Sequence, residues 1–79
     1  MRADICDTSD EKAIYKFRDI LQNMGAKLED KTWAAGVDIY HVIIGDQRLT
    51  IFNDSWSLDI DGPEDLVSRI LGDFKRPTA

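Results

Sequence analysis

Ala13, Ile14, Phe17, Ile20, Leu21 and Met24 recur at three- and four-residue steps and make one apolar stripe. Thr8 and Glu11 ahead of the stripe have the spacing of a capping box, and Gly25 behind it offers a left-handed stop. The pattern predicts a helix over 9–24. The seven residues before Thr8 show no such period and read as a short arm.

After Ala26 the period shortens, and β-branched and aromatic residues gather between the turn signals Ala35-Gly36, Gly45-Asp46-Gln47 and Asn53-Asp54-Ser55. These divide the stretch into strands over 27–33, 37–44, 48–52 and 56–60, an up-and-down antiparallel meander. The first has a highly charged centre, Glu29-Asp30-Lys31, so the sheet is expected to have three or four strands. At Gly62-Pro63-Glu64-Asp65 the chain turns helical again: Pro suits the first helical position, and acids there meet the positive end of the helix dipole. Leu66, Val67, Ile70, Leu71 and Phe74 form this helix's apolar face, with Lys75 and Arg76 at its negative end and Pro77 closing it.

The expected fold is therefore α+β: N-terminal helix, meander, C-terminal helix, a single domain over 1–79 with both helices packed on one sheet face. This order resembles that of double-stranded-RNA-binding domains in topology. Those domains carry a basic cluster at the start of the last helix, where this chain has Pro63-Glu64-Asp65, so the inverted charge argues against carrying the activity across.

A two-residue turn at Asp54-Ser55 places Ile51 opposite Leu58 and Leu49 opposite Ile60 on the helix-covered face, with Asn53 and Trp56 at its end. An even-numbered loop at Asp46 adds Tyr40, Val42 and Ile44 to that face and leaves Ile39, His41, Ile43, Thr50 and Phe52 on the other. The strand 37–44 is thus apolar on both sides, whereas 56–61 alternates, with Ser57, Asp59 and Asp61 outward. A strand apolar on both sides is usually buried on both sides. The second side would meet the N-terminal arm, a second copy of the chain, or another protein. Ile39, His41, Ile43, Phe52 and Asp59 are the candidate partner-binding residues.

Charge sharpens that expectation. The 79 residues include 15 acidic and 10 basic ones, a formal charge of -5. Binding to a phosphate backbone relies on clustered Lys and Arg, so nucleic acid is not the expected ligand, whereas a basic protein would be attracted at long range. With 43% hydrophobic and 32% charged residues the chain has a globular composition, and at this size it buries only about 60% of its unfolded surface. No apolar run approaches the roughly 20 residues of a membrane helix. The start of the chain lacks the apolar region of a secretory signal, and Cys6 is the single cysteine, which together point to the cytoplasm.

Candidate chemistry is sparse. His41 is the sole histidine, and with Cys6 distant in sequence it does not supply a zinc site. No nucleophile elbow or phosphate-cradling loop is present. Asp59-Ile60-Asp61-Gly62 alternates acids before a glycine as a calcium loop does, but the position requiring a bidentate Glu falls on Ser68. No catalytic, cofactor or metal residue is therefore assigned. The expected function is a small acidic protein-binding module of inhibitor, immunity or regulatory type. The alternative is a small enzyme or ligand binder, dimeric, whose pocket between sheet and helices is lined by Tyr40, His41 or Trp56.

Overall fold

A computed structural model describes residues 1–75 of the chain. They form β1 (Arg2–Asp7), α1 (Glu11–Asn23), β2 (Lys27–Ala34), β3 (Val37–Ile44), β4 (Gln47–Asn53), β5 (Ser57–Asp61) and α2 (Glu64–Lys75). The five strands make one antiparallel sheet in the order β1-β5-β4-β3-β2.

The sheet thus has five strands where three or four were expected. The N-terminal segment is not an arm lying across the sheet but its edge strand, paired with β5 from Arg2↔Asp61 to Asp7↔Ser57. A bulge after Asp4 breaks its alternation, so that Ala3, Ile5 and Cys6 all reach the core margin. Two apolar neighbours in a six-residue strand hide the period that would have revealed it.

Helix α1 is capped by Asp10, whose carboxylate accepts the Ala13 N–H at 3.2 Å. The Thr8–Glu11 capping box does not form, because the Thr8 N–H is drawn into the β1–α1 turn and donates to the Trp56 carbonyl at 3.3 Å. The far end follows the expected design. Gly25 at φ 75 lets the Ala26 N–H reach the Leu21 carbonyl and the Gly25 N–H reach that of Gln22, both at 3.0 Å, which is a Schellman closure. At α2 the first helical bond runs from the Val67 N–H to the Pro63 carbonyl at 2.9 Å, so Pro63 precedes the helix that begins at Glu64. Arg76 and Pro77, expected to end this helix, lie outside the described residues.

Turn chemistry sets the register. Ala35-Gly36 and Gly45-Asp46 are two-residue hairpin turns, closed by the pairs Ala34↔Val37 and Ile44↔Gln47. Between β4 and β5 the connection is longer than expected: the Asp54 carboxylate accepts the N–H groups of both Trp56 and Ser57 at 2.7 Å, and the strands close at Asn53↔Leu58. Ile51 therefore faces Ile60 rather than Leu58, and Trp56 is left in the loop, 82% exposed, instead of at the end of the core face. The slip is two residues, so every side chain keeps its expected face.

One cluster of twelve buried apolar residues fills the space between sheet and helices: Phe17, Ile20 and Leu21 from α1, Leu66, Val67 and Ile70 from α2, and Val42, Ile44, Leu49, Ile51, Leu58 and Ile60 from the sheet. At about 25 cal/mol per Å² removed from water, this burial is the main force holding the layers together. Strand β2 contributes nothing to the cluster. All eight of its residues are exposed, and it is a strand held by pairing with β3 alone on one edge.

Candidate protein-binding face

The sheet register lays out the side without helices as rows of neighbouring side chains. One row runs Asp4, Asp59, Phe52, Ile39 and Thr32 from β1 to β2. The next runs Arg2, Asp61, Thr50, His41 and Asp30, and a third pairs Arg48 with Ile43 and Lys27. The five residues singled out from sequence, Ile39, His41, Ile43, Phe52 and Asp59, all lie on this face, and each is half-buried. Their burial comes from one another and from flanking strands, since no element among the described residues lies over them.

The face is graded in chemistry. Its centre is apolar, with Val37, Ile39, Ile43 and Phe52 around the His41–Thr50 pair, whose Nδ1 and Oγ1 lie 3.2 Å apart. Its β1–β5 flank is acidic. Two cations stand there: the Met1 ammonium lies 3.6 Å from Asp61 Oδ1, and the Arg2 guanidinium lies 4.4 Å from the centre of the Phe52 ring and donates to Asp59 Oδ2 at 3.2 Å. Asp4 forms no ion pair among the described residues, and its carboxyl is held above the usual range, first by sharing a hydrogen bond with the Asp59 carboxyl, then by partial desolvation and by repulsion from Asp59, Asp7 and Asp54. On the opposite flank Arg48 is paired with Glu29, which stands at the bulge of β2.

Arg2 and Asp4 were missed by sequence reasoning because they enter through β1, whereas Asp61 was expected to point outward from β5 and does. The signal available was the outward–inward–outward order of Arg2, Ala3 and Asp4 opposite the cleanly alternating β5.

Three residues expected to line one pocket do not meet. Tyr40 faces the helices and borders a cleft of about 390 Å³ with Ile14, Phe17, Arg18 and Asn53. His41 is on the other side of the sheet, and Trp56 borders a separate shallow groove with Thr8 and Ser9. Nor does the acidic segment converge: Asp59 holds Arg2 on the open face, while Asp65 accepts the Gln47 side-chain amide at 3.2 Å across the start of α2. Among the described residues no group of three or more His, Cys, Asp and Glu is placed to hold a metal ion. Burial, then the nearby Asp10, Asp4 and Asp7, push the Cys6 thiol up, which disfavours its nucleophilic thiolate form. No helix among these residues is long and apolar enough to cross a membrane.

No family model matches this chain, and no curated protein or solved structure matches it significantly. Its function must be read from its own surface.

Proposed function

We propose that this chain is a small acidic protein-binding module, of inhibitor, immunity or regulatory type, whose contact surface is the sheet face opposite the helices. The observation that carries the reading is the patch of Ile39, Ile43 and Phe52 around His41, bordered on one side by Asp4, Asp59 and Asp61. An apolar centre with a charged rim is the anatomy of a protein contact, and the rim's sign selects a basic partner and speeds its approach. Arg2 stacked on Phe52 offers a planar donor at the junction of the two zones.

The test is retention of a basic protein from a host extract on the immobilised chain, compared with the same column carrying Phe52→Asp. Placing a second carboxylate opposite Asp59, which already engages Arg2, costs several kcal/mol if the patch is desolvated on binding, enough to abolish retention. Equal retention on both columns contradicts the assignment of the face.

A second reading has one observation in its favour, the cleft between α1 and the sheet, where Arg18 and Asn53 rim an apolar floor. Its volume lies at the lower end of the range for small-molecule sites. A metabolite that raises the melting temperature of the wild type but not of Arg18→Gln supports a ligand-binding domain, and no shift across a broad panel removes that support.

A further inference from the structure

Strand β2 is exposed on both faces and along one edge, and yet carries Leu28 and Trp33, 62% and 68% exposed. An edge of this kind displays unpaired N–H and C=O groups, which invite another strand. We infer that β2 pairs with β2 of a second copy, antiparallel about Thr32, joining two sheets into one of ten strands.

The register follows from three features. The bulge at Glu29 confines regular ladder geometry to Asp30–Ala34, whose midpoint is Thr32. In a symmetric antiparallel pair, opposed residues share a face, so the two-fold axis must lie midway between two copies of the same residue. An axis at Asp30 or at Lys31 opposes like charges, and one at Trp33 runs Lys31 into the Ala35 turn. Only the axis at Thr32 uses the whole stretch without repulsion: Thr32 meets Thr32, Lys31 meets Trp33 twice, and Asp30 meets Ala34.

Backbone polarity agrees. The pair Ala34↔Val37 closes a two-residue hairpin and is a hydrogen-bonded pair, so Ala34 and Thr32 direct their amides to β3, while Trp33 and Lys31 direct theirs outward. The Lys31–Trp33 pairs of the new ladder are then its hydrogen-bonded pairs. On the helix side, the Lys31 ammonium already lies 5.3 Å from the Tyr40 ring and would gain Trp33 of the second copy as another aromatic neighbour. The two-fold axis stands perpendicular to the sheet, so both open faces point the same way and the dimer is bivalent. This pairing does not depend on the open face binding any partner.

The test combines solution mass with a disulfide probe. Light scattering of the wild type across rising concentration should show a shift from 9.0 kDa to twice that mass. In a Cys6→Ala background, Thr32→Cys should oxidise to a covalent dimer, because a non-hydrogen-bonded pair brings the two Cα atoms to about 4.5 Å. Ala34→Cys, opposite Asp30, should not. Trp33→Lys, which sets Lys against Lys31 at an exposed position, should return the mass to that of one chain with an unchanged circular dichroism spectrum. A monomer at every concentration with no Thr32→Cys dimer overturns the proposal. So does a dimer that survives Trp33→Lys but dissociates in Phe52→Asp, which would assign self-association to the open face.

Discussion

Ala35 occupies φ 52 in the turn between β2 and β3, in the left-handed region where its Cβ crowds the next carbonyl. That conformation costs a non-glycine residue about 1–2 kcal/mol, and Asn tolerates it best after Gly. Ala35→Asn should therefore stabilise the fold by about 1 kcal/mol, seen as a higher urea midpoint at unchanged slope. Two aspartates should respond to pH with opposite signs. Asp54 is held below the usual carboxylate range by the Ser57 and Trp56 N–H groups, so its contribution is present above the ordinary value and is lost as pH falls through its lowered one. Asp54→Ala should lower the melting temperature at neutral pH, and the gap from wild type should narrow in acid. Asp4 is raised chiefly through Asp59, so its contribution is present in acid and is lost as pH rises through the raised value. Asp4→Asn should raise the melting temperature at neutral pH and converge with wild type in acid.

At the scale of elements, the junction between β5 and α2 leaves no room for a side chain at Gly62. A Cβ on Gly62 would stand 3.1 Å from Leu49 Cδ1 and 3.2 Å from the Arg48 carbonyl, the first on a completely buried side chain and the second on the β4 backbone. Neither yields freely, and Gly62→Ala should destabilise by about 1–3 kcal/mol in equilibrium unfolding. The helices and the meander were legible in the sequence because each signal was local: a stripe at helical spacing with Gly25 behind it, and Gly-containing turns between β-branched runs. The faces of β3 and β4 were legible too, since two-residue turns fix parity, and the expected patch residues do share one side. What was hidden depended on hydrogen bonds and a bulge that the apolar pattern does not register. Thr8 lost its capping role to the Trp56 carbonyl, Asp54 lengthened a turn by gathering two amides, and a bulge disguised β1. With β1 hidden, the acidic flank contributed by Asp4, and Arg2 on Phe52, could not be seen.

At the scale of the molecule, two helices cover one face of a five-stranded sheet, and the described residues supply no partner layer for the other face or for β2. The open face combines apolar side chains with an acidic border, which is why a basic protein is its proposed partner. Association with such a partner should slow steeply as salt is raised, because the long-range part of the attraction is screened over roughly 10 Å at moderate ionic strength. The most direct measurement is retention of a host protein by the wild-type chain, by Phe52→Asp, and by Tyr15→Ala, an exposed position on α1, which packs on the other side of the sheet. The account predicts one basic protein held by the wild type and by Tyr15→Ala and lost on Phe52→Asp; a protein held equally by all three, or lost only with Tyr15→Ala, would contradict it.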